Sequence, residues 1–352
     1  MTSRSQLRIG LFLPLAGAEL LTGRLSGQAR EKIKTADQLG YDSLWFDDTS
    51  GFDVVTVLGE AVRATQRMKI GTAIMNVFSR SPTVIAETFA TLDVLSSGRM
   101  VIGLGASVAD WIEPLHGVPF VRPLRRLREY IEIINLLMRG ERLAHHGELL
   151  NLELDYRFSF APVRDHIPIY IGATGPKSLE QTGEIANGIL THQDLSKEQY
   201  GALLERLAAG AARAGRNAKE ITVAAPISVA YVLDESQRES QRKEFVQQRR
   251  RGVVRMIVGL WATDESRERL ARDFPEEVKA VEAAWATDRD AVVAAITDEM
   301  VDKMTIIGVG APQEIHKALV DLQSLGVDLP MLPMPPGNPD EAGRILEELI
   351  KA

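Results

Sequence analysis

A chain of 352 residues with 45% hydrophobic and 25% charged residues can bury a sizeable core and is too apolar to be disordered. Its formal charge of -7 argues against a nucleic-acid partner, which needs clustered Lys and Arg, and the absence of cysteine excludes disulfides, thiolate metal sites and cysteine nucleophiles. No run approaches the ~18 apolar residues of a membrane span, and no cleavage pattern follows the first apolar patch. The expectation is a cytoplasmic protein acting on a small molecule, with neither nucleic acid nor membrane as partner.

Short β-branched or apolar runs alternate with segments of helical period, the order expected of βα units around a parallel sheet. The pattern predicts strands over 7–14, 42–48, 69–75, 100–106, 167–173, 188–192, 221–232 and 327–334. Between them, helices are expected over Arg30–Gly40, Val54–Thr65, Pro82–Ser96, Leu127–Met138, Ser178–Ala186, Lys197–Ala214 and Pro312–Leu325, where apolar residues recur at i, i+3 and i+4. Eight strands suggest an α/β fold, a (β/α)8 TIM barrel forming a single domain over 1–352. Two stretches break the rhythm. Residues 141–165 read as an excursion with its own short strands, and 234–303 as a charged helical insertion before the last βα unit. Within the insertion, Arg249, Arg250 and Arg251 form the only dense basic cluster and read as a solvated helix face.

In a parallel barrel, ligands meet the carboxyl ends of the strands. GLGAS (Gly103–Ser107) exposes backbone amides, and its glycines allow close approach. GATGPKS (Gly172–Ser178) starts a helix directly after a strand, where free amides and the helix dipole favour an anion and Lys177 adds a charge. Each loop alone also fits a plain turn. Asp47 and Asp48 end one strand and Asp110 follows GLGASVA, so acid-base work competes with hydrogen bonding to loop amides. The six histidines show no metal-binding spacing, and no metal is expected. His116 reads as a packing residue, His192 as a rim residue, and Trp45 and Trp111 as residues that either stack on a planar ring or pack.

Taken together, ADQLGYDSLWFDD (36–48), KIGTAIMNVFSRSPTVIAETFATLDVLSSGRMVIGLGAS (69–107), PIYIGATGPKSLEQTGEIANGIL (168–190) and MTIIGVGAPQEI (304–315) resemble the luciferase-like superfamily of barrel oxidoreductases. TLDVLSSGR is the most diagnostic block. Within the superfamily the chain is most similar to the F420-dependent branch, particularly the methylenetetrahydromethanopterin reductases. The resemblance implies coenzyme F420, with FMN as the alternative, and hydride transfer between the deazaflavin and a small organic electrophile, a methylene-tetrahydropterin among the candidates. It also implies a homo-oligomer. Gly105, Ala106, Ser107, Gly175, Pro176 and Lys177 match positions around the coenzyme's tail and phosphate. Asp48, Thr49, Asn76 and the Thr72–Ala73 step match positions around the ring, and in relatives that step is a cis peptide. Asp110, with Asp48, is the expected proton donor.

The departures bear on the substrate. Thr49 stands where many F420 relatives carry a histidine, and Phe12 and Val108 stand at or near positions where the pterin reductases carry acids. The reading is an F420-dependent oxidoreductase. An FMN-dependent monooxygenase of the same superfamily and a noncatalytic cofactor-binding barrel are the alternatives, and a metal-dependent hydrolase has little support.

Overall fold

The computed structural model describes residues 7–15, 24–48, 51–193, 195–258 and 264–352, so Thr49 lies outside the described residues. In chain order the strands are β1 (Gly10–Leu13), β2 (Ser43–Phe46), β3 (Lys69–Thr72), β4 (Met75–Asn76), β5 (Met100–Gly105), β6 (Ala144–His146) and β7 (Asn151–Glu153). There follow β8 (Ile169–Gly172), β9 (Gly188–Leu190), β10 (Thr222–Pro226), β11 (Val229–Tyr231), β12 (Gly308–Gly310) and β13 (Leu329–Pro333). The main sheet runs β3-β2-β1-β13-β10-β9-β8-β5-β4, and pairing of β3 with β5 closes it. Because β4 continues β3, this is the expected closed parallel barrel of eight staves.

Side-chain alternation builds the barrel wall. Leu44 and Phe46 of β2, Ile102 and Leu104 of β5, and Ile169 and Ile171 of β8 pack outward with the helices, while the intervening Trp45, Val101 and Tyr170 form an inner cluster with Leu190, Ala224, Leu329 and Met331. Strands buried on both faces of a parallel sheet require such near-continuous apolar runs. The large inner rings need small neighbours: a Cβ on Gly71 would lie 2.6 Å from the Trp45 ring. Trp45 donates from Nε1 to Ser43 Oγ at 2.8 Å and tilts against Tyr170 at 5.4 Å, so it packs inside the barrel.

The helices are α1 (Arg24–Leu39), α2 (Val54–Ala64), α3 (Pro82–Ser96), α4 (Ala109–His116), α5 (Pro123–Met138), α6 (Pro176–Ile185) and α7 (Lys197–Arg213). The insertion contributes α8 (Arg238–Val258), α9 (Asp264–Asp273), α10 (Pro275–Ala284), α11 (Arg289–Ala294) and α12 (Asp298–Lys303), and α13 (Pro312–Ser324) and α14 (Pro339–Lys351) complete the chain. None is long and apolar enough to cross a membrane among the described residues. Helices α8 to α12 enclose a hydrophobic cluster of their own, including Val253, Ile257, Leu270, Phe274, Val281 and Met300.

Three expectations need correction. The run 221–232 is two strands, because β11 leaves the barrel to pair with β12 in a separate parallel ladder. The segment after GLGAS is helical: α4 starts at Ala109, placing Asp110 in its first turn. Arg249 is only 7% exposed, its Nη1 donating to Gln193 Oε1 at 3.4 Å and its Nη2 to Met304 O at 3.1 Å. It anchors α8 to the loop after β9, whereas Arg250 pairs with Asp298 and Arg251 is exposed. The excursion has its expected short strands, the antiparallel pair β6 and β7, and it is clamped: Glu129 of α5, fully buried, accepts from the amides of Glu148, Leu149 and Leu150 in the β6–β7 turn and from Arg125. Despite its burial, these donors pull its carboxyl down to about 2.

Candidate active site at the barrel mouth

The mouth takes its shape from a slip in register. Ile70 and Gly71 of β3 sit opposite Met100 and Val101, whereas Met75 and Asn76 of β4 sit opposite Leu104 and Gly105, so the first strand carries one extra residue. Such a bulge re-aims a side chain. Here the bulge falls at Ala73 and Ile74, both half-buried and packed on the inner cluster together with Phe12. The cis peptide expected at Thr72–Ala73 lies one bond later, at Ala73–Ile74. Thr72 still belongs to the regular strand, in register with Phe46, and the slip begins after it.

The glycines of GLGAS make room for this bulge. A Cβ on Gly103 would lie 1.6 Å from Thr72 O, and one on Gly105 would lie 2.8 Å from Ile74 Cδ1. On the neighbouring stave, a Cβ on Gly172 would lie 3.0 Å from Ile74 Cγ2. Ile74 therefore fills the space that Gly105 of β5 and Gly172 of β8 leave for it, and with Ala73 and Phe12 gives the mouth an apolar floor. This revises the expectation for Gly105, whose missing side chain is used by Ile74. Thr72 is revised too: it is fully buried, and its hydroxyl donates to Gly103 O at 2.8 Å and accepts from Gly103 N at 3.1 Å.

Asp48 stands beside the floor. Its amide donates to Ile74 O at 3.3 Å, and its half-buried carboxylate lies 3.5 Å from Arg80 Nη1. Arg80 also pairs directly with Asp53, the N-cap of α2, whose Oδ2 accepts from Thr56 N at 2.9 Å and Thr56 Oγ1 at 2.8 Å. Burial raises the Asp48 carboxyl above the ordinary range; Arg80 and His116 pull it back, while Asp53 and Asp47 push it further up. For Asp53 the balance is reversed: burial is outweighed by Thr56 and Arg80, and its carboxyl is lowered. The adjacent Asp47 accepts from Leu15 N and holds the loop after β1.

On the opposite side, α6 presents a free N-terminus. Gly175 is its N-cap without a side-chain cap and Pro176 occupies the first turn. Leu179 N is bonded back to Gly175 O at 3.0 Å, so the amides of Lys177 and Ser178 precede the helical ladder. The direction of α6 is fixed by close contact with α7, since a Cβ on Gly210 would lie 1.8 Å from Glu180 O. Lys177 is exposed. In the β5–α4 loop, Ala106 is half-buried and Ser107 takes a left-handed φ of 61° with an exposed side chain.

The remaining expected residues separate by environment. Asn76 is buried, and its Oδ1 accepts from Phe78 N at 2.9 Å and Ser79 N at 2.8 Å, leaving only its amide NH2 for a ligand. Asp110 is exposed on α4. His116 is exposed at the end of α4, not packed as expected, and acts on the charge of Asp48. His192, two residues past β9, has its imidazole lowered by burial and by Arg249, so it is neutral near pH 7. Arg80 and Asp53 were not recognisable as site residues, because Arg80 lies 32 positions beyond Asp48 in an unremarkable NVFSRSP run. Among the described residues, no three His, Asp or Glu side chains converge as a metal site.

An apolar floor at the carboxyl ends of a parallel barrel, a half-buried acid at its edge and an anion-receptive helix terminus across the mouth fit a flat cofactor with a phosphate tail, and define a cofactor-dependent barrel enzyme. The chain belongs to the luciferase-like monooxygenase family, whose model matches residues 7–329. It is 30% identical over 298 residues to the 5,10-methylenetetrahydromethanopterin reductase of Archaeoglobus fulgidus, covering 84% of this chain and 86% of that one. It is also 30% identical over 291 residues to a putative coenzyme F420-dependent oxidoreductase of Mycobacterium tuberculosis, covering 79% and 83%. In fold it matches the F420-dependent tetrahydromethanopterin reductase of Methanopyrus kandleri with a TM-score of 0.80 at 23% identity, over 99% of this chain and 98% of that one.

Proposed function

We propose that this chain is a cytoplasmic coenzyme F420-dependent oxidoreductase acting on a small organic substrate, with a methylene-tetrahydropterin among the candidates. The observation that carries the reading is the Ile74 bulge, which the glycines at 105 and 172 accommodate and which gives the mouth an apolar platform next to Asp48. Ala73 and Ile74 would back the ring, the amide of Asn76 would meet its polar edge, and Ala106, Ser107 and the Gly175–Lys177 turn would hold the tail and phosphate. Bound there, the deazaflavin would supply or accept the hydride.

The protein's own part is to exclude water and deliver a proton. A carbonyl or activated alkene that receives a hydride develops negative charge on the neighbouring atom and needs an acid. Asp48 suits that role better than Asp110, because burial makes it keep its proton to higher pH than an ordinary carboxyl. For an iminium, the hydride alone completes the reaction and Asp48 acts only through its charge.

Supporting this reading are the family membership and the activities for which the similar proteins are named. The test is anaerobic oxidation of reduced F420 by the protein across a panel of methylene-tetrahydropterins, ketones and activated alkenes, followed by return of the oxidised chromophore. Substrate-dependent oxidation is expected. Oxygen consumption with reduced FMN, and no oxidation of reduced F420 by any substrate, would establish the monooxygenase reading instead.

A further inference from the structure

Arg80 belongs to none of the glycine or acidic motifs of the mouth, yet it is held from two directions. Its carbonyl accepts from Tyr130 Oη of α5 at 3.1 Å, and two residues earlier Phe78 stacks on Phe120 at 4.9 Å beneath the Arg126 guanidinium at 4.6 Å. Its own guanidinium is drawn toward Asp53, which is fixed in turn as the N-cap of α2. The more distant contact, at 3.5 Å, is the one made to Asp48. Arg80 is thus tethered to a structural carboxylate and lends only part of its charge to the carboxyl at the mouth.

We propose that Arg80 is a positioning residue: anchored on Asp53, it orients the Asp48 carboxyl at the mouth and sets how readily that group holds a proton. This deepens the oxidoreductase reading and rests on it for its catalytic meaning. The groups acting on Asp48 are Arg80 before α3, Asp53 at the start of α2, His116 at the end of α4 and the adjacent Asp47 just past β2. A fully committed Arg80 would pin Asp48 as a carboxylate. By dividing Arg80 with Asp53, the protein leaves the acid able to give up and regain its proton.

The two partners therefore have opposite effects. Removing Arg80 takes a cation from Asp48 and raises its titration midpoint. Removing the charge of Asp53 deletes a nearby anion and releases Arg80 toward Asp48, which lowers the midpoint. Asparagine is the suitable replacement at 53 because it also caps helices well, so α2 keeps its N-terminus.

The experiment follows the Asp48 side-chain carboxyl by carbon NMR titration of the cofactor-free full chain, in wild type, Arg80→Met, Arg80→Lys, Asp53→Asn and His116→Gln. An upward shift of about 1 pH unit is expected for Arg80→Met, the lower end of the effect of an opposite charge at this range because the site is partly solvated. Asp53→Asn is expected to shift the midpoint down, His116→Gln slightly up, and Arg80→Lys to restore most of the wild-type value. The pH profile of turnover is expected to move in the same directions. An unchanged midpoint in Arg80→Met, or movement of Arg80→Met and Asp53→Asn in the same direction, as simple loosening of the loop would produce, overturns the proposal. Because the NMR titration is read without cofactor, its result and that of F420 turnover succeed or fail separately.

Discussion

Asp48 and Asp110 differ little in sequence terms, each an acid just beyond a barrel strand, but the structure gives them different chemistry. Asp48 is half-buried beside Ile74 and its carboxyl is raised by that burial, while Asp110 is exposed on the first turn of α4. A general acid contributes roughly 100- to 10,000-fold, so Asp48→Asn should lower kcat within that range on a substrate that requires protonation, with cofactor affinity retained. Asp110→Asn should change kcat by less than about tenfold. The sign of the pH dependence follows from the role: the acid must be protonated, so the rate is highest at low pH and falls as pH rises through the elevated Asp48 midpoint. Steady-state kinetics of both variants against pH checks the assignment. Equal losses in both would return Asp110 to the site.

At the level of elements, regular periodicity was legible and irregular packing was not. The outward apolar residues of β2, β5 and β8 and the proline-started helices α3 and α13 declared themselves through spacing alone. The slip between β3 and β4 left no mark on composition, and only the family resemblance, which implied a cis peptide one bond earlier, pointed to it. GLGAS was legible as a special loop for a partly wrong reason. Its glycines answer mainly to Thr72 and Ile74, which come from another strand and cannot be seen from the loop itself. TLDVLSSGR likewise proves structural: Asp93 pairs with Arg164 at 2.8 Å and accepts from Met100 N at 3.0 Å, and Arg99 donates from Nη1 to Met68 O at 2.7 Å and from Nη2 to Thr65 O at 3.0 Å. The segment that most resembles the family ties α2, α3 and β5 together.

Two predictions belong at this scale. In Gly103→Ala the new Cβ meets backbone, Thr72 O at 1.6 Å, whereas in Gly105→Ala it meets the movable tip of Ile74. Gly103→Ala should therefore fail to fold or lose at least ~3 kcal/mol, beyond the usual cost of overpacking, while Gly105→Ala should fold and lose cofactor affinity as Ile74 is displaced. Thermal unfolding and ligand titration of the pair separate the two effects. The clamp on the excursion is testable in the same way. Glu129→Ala leaves the half-buried amides of the β6–β7 turn without their acceptor, and urea unfolding should show a loss of about 3 kcal/mol. Because the Glu129 carboxyl is depressed to about 2, its contribution is present above the ordinary glutamate range near 4.3 and fades as pH falls toward 2.

For the whole molecule, barrel closure brings together residues from β2, the β3–β4 bulge, the β5 loop and the start of α6 that no local motif connects. The acid and its cation, Asp48 and Arg80, meet only because α3 begins where the bulged stave ends. The insertion is attached through Arg249 to the loop after β9, so its helices lean on the rim. Their composition gave no hint of which arginine in the triplet would be buried, since α8 is strongly charged on most of its length and only tertiary contact distinguishes Arg249 from its neighbours. An apolar floor, a half-buried acid and an open helix terminus at the strands' carboxyl ends suit a flat, phosphate-bearing redox cofactor. The measurement that tests this most directly is anaerobic fluorescence titration of the purified chain with F420 and, in parallel, with FMN. Saturable binding of F420, weakened by Gly105→Ala and by Lys177→Glu, is the predicted result. Tight binding of FMN with none of F420, or F420 binding indifferent to both substitutions, would contradict the account.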